Sequence, residues 1–184
     1  MSAADWVRLA RRTRETRIEL GLKLAGSGKA RLDLGPYFLR HMLESFAVHG
    51  GLDLEVRAQG EDEHHVTEDV GICLGRALRQ AVSGQPTIER YGHAIVPMDD
   101  ALVLVALDLV ERPYAHVELP DPLYKHFLRS LALEGRLTLH VRPLAGEDVH
   151  HLVEAAFKGL GRALRRALRP RGQRLSAKGE VEWR

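Results

Sequence analysis

The chain has 184 residues, enough for one large domain or two small ones. Hydrophobic residues make up 45% and charged residues 28%, a balance that excludes a collagen-like or disordered chain. A net charge of +2 is too small to imply much, and an aromatic content of 5% argues against a base-stacking nucleic-acid surface.

Met1 to Arg17 is charged and lacks the apolar core of a signal peptide, so a cytoplasmic protein is expected. From Thr16 to Leu24 apolar and polar residues alternate, the pattern of a half-buried strand. Gly26-Ser27-Gly28 reads as a turn and Lys29 to Leu34 as a second strand, together a hairpin. Pro36 suits a helix start, and Phe38, Met42, Leu43 and Phe46 keep helical spacing up to Gly50-Gly51. Leu52 to Val56 alternates as a strand, and Thr67 to Val82 is helical. Cys73 is the single cysteine, so an internal disulfide and a Cys-rich zinc site are excluded.

The pattern then recurs. Tyr91–Pro97, Ala101–Asp108 and Tyr114–Leu119 read as strands, Pro122–Leu133 as a helix, Leu137–Val141 as a strand and Val149–Leu168 as a helix. The longest apolar run, Ala101 to Leu107, is too short to cross a bilayer. The repetition extends to individual residues. Leu52-x-Leu54-x-Val56 followed by His64-His65-x-x-Glu68 matches Leu137-x-Leu139-x-Val141 followed by His150-His151-x-x-Glu154. The helices continue alike, as Leu74-Gly75-Arg76-Ala77-Leu78 and Leu160-Gly161-Arg162-Ala163-Leu164. The fold class expected is α+β, an internal duplication of two similar halves, 1–86 and 87–184, each a sheet with helices on one face. No Gly-rich phosphate loop follows a strand.

Histidine is over-represented, with 10 residues, and two of the repeated positions are His pairs. On a helix, residues three or four apart share a face, so Glu68 can sit beside His64 or His65, and Glu154 beside His150 or His151. Adjacent histidines diverge by about 100°. One His and the Glu can therefore hold one metal while the other His reaches a second. A polar cap favoured by the helix dipole is the simpler explanation of one copy. Two copies in matching register favour a pair of metal half-sites. Imidazole and carboxylate without thiolate suit Mn, Fe or Zn, and octahedral preference favours Mn or Fe. His41 and His140, each shortly before a half-site, are plausible final ligands. His49, His93, His116 and His126 read as non-ligands.

These residues resemble the imidazoleglycerol-phosphate dehydratase family of histidine biosynthesis. The resemblance is carried, in order along nearly the whole chain, by Arg12-Thr13-Arg14-Glu15-Thr16, Phe38-Leu39-Arg40-His41-Met42-Leu43, the two His-His-x-x-Glu motifs, Arg90-Tyr91-Gly92, Val96-Pro97-Met98-Asp99-Asp100, Arg112-Pro113 and Ser176-Ala177-Lys178-Gly179. Arg40, Asp148 and Ala177 stand where the family usually has Asp, Asn and Thr, and the segment 117–126 is shorter than usual.

The resemblance implies two Mn(2+) ions per active site, held by His41, His64, His65, Glu68, His140, His150, His151 and Glu154. It implies substrate contacts from Glu15, Arg90, Arg112, Lys158, Ser176 and Lys178, and a shell of twenty-four subunits with sites at subunit contacts. The activity implied is loss of water from imidazole glycerol phosphate to give imidazole acetol phosphate. Metal coordination can make the ring an imidazolate that expels the neighbouring hydroxide. Glu15, outside both half-sites, is the candidate acid–base group. Four cations and a serine suit a phosphate dianion. A non-catalytic dimetal-binding protein and a dimetal hydrolase are the alternatives; neither a nucleic-acid nor a membrane partner is expected.

Overall fold

The structure, a computed structural model, describes residues 5–83, 85 and 87–172. Ser176 and Lys178 lie outside the described residues. Two four-stranded sheets are present, each accompanied by two helices. The first half comprises β1 (Val7–Arg12), β2 (Thr16–Lys23), β3 (Ala30–Leu34), α1 (Tyr37–Gly50), β4 (Asp53–Gly60) and α2 (Glu63–Ser83). The second comprises β5 (Tyr91–Met98), β6 (Ala101–Asp108), β7 (Tyr114–Val117), α3 (Pro122–Glu134), β8 (Thr138–Ala145) and α4 (Val149–Ala167). The strand orders, β1-β2-β4-β3 and β5-β6-β8-β7, are the same arrangement twice. Among the described residues no helix is long and apolar enough to cross a membrane.

The hairpin expected across Gly26-Ser27-Gly28 does not form. β3 pairs parallel with β4, and β4 pairs antiparallel with β2, so β4 separates the two strands read as partners. The connection from β3 through α1 to β4 is a crossover unit, which parallel pairing requires. The true hairpin joins β2 to β1, which the charged N-terminal segment concealed. Val7 and Leu9 of β1 turn inward while Arg8 and Arg12 stay exposed, as the period of two demands.

Strand alternation sends Ile18, Leu20 and Leu22 of β2, and Val103, Val105 and Leu107 of β6, into the core. The helices cover these inner faces, and helices of one half pack on those of the other: α1 on α4, and α2 on α3. Glycines at corresponding positions permit the close crossings. A Cβ on Gly75 would lie 2.4 Å from the Leu131 carbonyl oxygen and 2.9 Å from the Gly135 nitrogen. A Cβ on Gly161 would lie 2.6 Å from the Phe46 carbonyl oxygen and 2.8 Å from the Gly50 nitrogen. The repeated Leu-Gly-Arg-Ala-Leu segments are therefore the contact points between the halves.

The helix starts that carry the His pairs are capped alike. Asp62 accepts hydrogen bonds from the backbone N–H of His64 (2.7 Å) and His65 (3.1 Å). Asp148 does the same for His150 (2.8 Å) and His151 (3.3 Å). Such caps satisfy backbone donors that the first turn leaves unpaired. The aspartate at 148, where asparagine is usual in the family it resembles, preserves this function. Helix α2 begins at Glu63, a little earlier than its apolar spacing suggests, because this cap starts it.

Candidate active site

Two clusters of metal-ligating side chains converge between the halves. In the first, His41 of α1 and His150 and Glu154 of α4 direct ligand atoms to within 4.8 Å of one another. His41 Nε2 lies 3.2 Å and His150 Nε2 lies 3.3 Å from the same oxygen, Glu154 Oε2. In the second cluster, His64 and Glu68 of α2 meet His126 of α3. His126 lies 3.3 Å from Glu68 Oε1 and also 3.3 Å from His64 Nε2. Each cluster thus offers two imidazoles and one carboxylate, a donor set that fits a divalent ion of the first transition row.

Glu154 is nearly buried, and its second oxygen lies 2.8 Å from Lys158 Nζ. Burial alone would raise its pKa, but hydrogen bonds from Lys158 and His41 outweigh it and hold the carboxyl below the usual range. The ligand oxygen is therefore charged in neutral solution.

The second histidine of each pair faces away from its own cluster, toward a carboxylate on a turn between strands. His65 Nδ1 lies 3.5 Å from Glu15 Oε2, on the β1–β2 turn. His151 Nδ1 lies 2.7 Å from Asp100 Oδ1, on the β5–β6 turn, and its Nε2 lies 3.5 Å from Asp99. Asp100 also accepts from the backbone N–H of Glu147 and Asp148. These contacts hold the Asp100 carboxyl well below its ordinary range, and its hydrogen bond raises the pKa of His151. Divergence within each pair follows from the helical rotation between neighbours.

His140 joins neither cluster. Its neighbours Leu139 and Val141 are buried, so alternation along β8 turns its ring to the outer face, away from the helices. There its ring centroid lies 5.5 Å from that of Tyr114 and 5.9 Å from that of His116. His126, which reads from sequence as a non-ligand, occupies the position expected of His140. The duplication contains the signal that identifies it. His41-x-Leu43-x-Ser45-x-Ala47-x-x-Gly50 matches His126-x-Leu128-x-Ser130-x-Ala132-x-x-Gly135. The counterpart of His41 is thus a residue on α3, not one on the following strand.

The cationic groups are distributed differently. Lys158 borders the first cluster through Glu154. Arg90, at a left-handed φ of 68°, lies 2.8 Å from Asp108 and stacks 4.4 Å over the ring of Tyr91. Burial raises the Asp108 pKa despite the nearby charges of Arg90 and Arg112. Arg90 lines a cavity of about 1110 Å³ that also includes Arg76, Arg79 and Arg136, beside the C-terminal part of α2. His64 and Glu68 stand at the opposite end of that helix. At about 1.5 Å per residue, some 20–30 Å separates Arg90 from the second cluster. One chain therefore does not bring Arg90 and Arg112 together with the histidines.

Residues 35–164 match the family model for imidazoleglycerol-phosphate dehydratase. The chain belongs to the imidazoleglycerol-phosphate dehydratase family. It is 51% identical over 177 residues to the dehydratase of Desulforudis audaxviator, covering 89% of this chain and 90% of that protein. The enzyme of Geobacillus kaustophilus is 49% identical over 169 residues, covering 85% and 87%. A crystal structure of the Pyrococcus furiosus protein superposes with a TM-score of 0.80 at 40% identity, over 94% of this chain and 100% of that one. The Staphylococcus aureus structure gives 0.79 at 33% identity, over 90% and 99%. Membership makes the chain an enzyme of the hydro-lyase class, in histidine biosynthesis, with a phosphorylated small molecule as substrate. The two His-His-carboxylate clusters fit a metal-dependent member.

Proposed function

We propose that the chain removes water from imidazole glycerol phosphate to give imidazole acetol phosphate, using two divalent ions, with Mn(2+) preferred. The observation that carries this reading is the pair of clusters, His41-His150-Glu154 and His64-Glu68-His126, related by the duplication. His65 and His151 would complete these sites on neighbouring copies of the chain. Their outward direction supports that, as does the distance of Arg90 and Arg112 from the clusters. A homo-oligomer as large as twenty-four subunits follows from the resemblance. A cytoplasmic setting accords with the single buried thiol, Cys73.

Divalent ions at the clusters would supply Lewis-acid stabilisation of negative charge on the substrate's imidazole. The chain's own groups do the rest. Glu154 and Glu68 offer anionic ligand oxygens, and Lys158 keeps Glu154 ionised. Arg90 and Arg112, with Ser176 and Lys178 of the C-terminal segment, receive the phosphate, a dianion suited to charge-assisted hydrogen bonds. Glu15 lies on an exposed turn beside His65 and carries the proton taken from the carbinol carbon. Loss of hydroxide at the carbon next to the ring and of this proton leaves an enol, which becomes the ketone.

Incubating the Mn(2+)-loaded protein with imidazole glycerol phosphate tests the reading. Formation of the ketone, abolished by a chelator and restored by metal, is expected. No ketone from a folded protein holding about two ions per chain would overturn it.

A further inference from the structure

The turns that face the outward histidines are held differently in the two halves. In the second half, β5 and β6 are joined by a tight turn, with Met98 opposite Ala101. In the first half Arg12 pairs with Arg17 as Pro97 pairs with Leu102, so the two turns are equal in length and Arg14 and Glu15 stand where the second half has Asp99 and Asp100. The first-half turn is tied to α2 by a polar chain. Thr13 Oγ1 accepts hydrogen bonds from the backbone N–H of Glu15 (3.1 Å) and Thr16 (2.9 Å). Thr13 and Thr16 hydroxyls lie 3.0 Å apart, and the Thr16 hydroxyl donates to Asp69 Oδ2. With the Thr16 proton committed to Asp69, the Thr13 hydroxyl donates to Thr16. Arg11 closes the arrangement, with Nη2 3.0 Å from Asp69 Oδ1.

Thr16 and Asp69 are both buried, where polar groups persist only when paired. The register β2–β4 and β6–β8 makes Ala101 the counterpart of Thr16, and the His-His-x-x-Glu motifs make Ala155 the counterpart of Asp69. Ala101 and Ala155 are buried too. The fold therefore accepts two alanines at these places and needs no polar pair there. Only the half that bears Glu15 has one.

We infer that Asp69 is a positioning residue for Glu15, acting through Thr16 and Thr13 to fix the β1–β2 turn against the helix that bears His64, His65 and Glu68. This rests on the proposed role of Glu15 in the reaction. An exposed carboxylate on an untethered turn would sample many orientations. A misplacement of about 1 Å in a reacting group costs on the order of 100-fold in rate. The chain from Asp69 to the Glu15 backbone amide removes that freedom without touching the carboxylate, which stays available to substrate.

The test is a set of variants of the metal-loaded protein, with kcat, KM, bound metal and unfolding temperature measured for each. Thr16→Val should lower kcat by roughly 10- to 100-fold at unchanged KM and metal content, and Thr16→Ser should restore it. Asp69→Asn carries the same expectation, and Thr13→Val, on the exposed turn, tests it independently should Asp69→Asn fail to fold. In the Glu15→Gln background, Thr16→Val should have no further effect, because the group it positions is gone. Wild-type kcat in Thr16→Val and Thr13→Val, a multiplicative loss in the double variant, or activity falling only in proportion to lost metal would overturn the positioning role and leave that of Glu15 intact. Wild-type turnover in Glu15→Gln would overturn both.

Discussion

His126 Nε2 lies 3.3 Å from Glu68 Oε1, across the packing of α3 on α2. This contact makes the second cluster the twin of the first, in which His41 reaches Glu154 across α1 and α4. His126→Ala should therefore remove about one divalent ion per chain and abolish turnover. His140→Ala should retain both ions. Elemental analysis of the purified variants checks this, and equal loss in both would contradict the assignment.

Asp100 and His151 give a prediction about pH. The hydrogen bond raises the His151 pKa above its ordinary 6.5. In metal-free protein the pair then stabilises the fold fully below about pH 6.5, and that contribution disappears as pH climbs through the raised value. Asp100→Asn should bring the His151 titration back toward 6.5 and flatten this part of the stability profile. Histidine ring resonances followed by NMR give the titration directly.

The glycine crossings set the spacing of the clusters. Gly75→Ala and Gly161→Ala each insert a methyl group against backbone carbonyls that cannot yield cheaply. A loss of about 1–3 kcal/mol in stability is expected, the usual result of overpacking. Denaturant unfolding measures it. An unchanged midpoint in both would mean that the helices separate freely.

Arg90 and Arg112 should matter for a phosphorylated substrate and hardly at all for its dephospho form. Losing one hydrogen bond to a charged group costs about 1.5–3 kcal/mol, or roughly 10- to 150-fold in kcat/KM. Steady-state kinetics with both compounds separates a phosphate contact from a general loss of fold.

The duplication, most elements and the residues His64, Glu68, His150 and Glu154 that the two clusters contain are legible in the sequence, because strand alternation and the His-His-x-x-Glu spacing are local. Pairing across the chain is not. The β2–β3 connection looks like a hairpin from its Gly26-Ser27-Gly28 turn, yet β4 inserts between the strands, and no local pattern records that. β1 was hidden by Arg8, Arg11 and Arg12, two of which decorate an exposed edge while Arg11 turns to Asp69. Proximity in sequence points to His140, whereas the helix packing brings the distant His126 to His64 and Glu68. The match of α1 with α3 carries the signal for His126. The role of the Thr16–Asp69 pair could be read only from the contrast with Ala101 and Ala155 once the register was known.

Each cluster takes one histidine from one half and the His-x-x-x-Glu pair from the other. A single half on its own thus contains the parts of two sites and completes neither. Two identical halves facing each other across a twofold axis would complete both, and would be obliged to treat them identically. Joining the halves in one chain lifts that obligation. It allows the turn above one site to carry Glu15 and its tether while the turn above the other carries Asp99 and Asp100, so that two equivalent metal-binding frames can present different chemistry to the two ends of one unsymmetrical substrate.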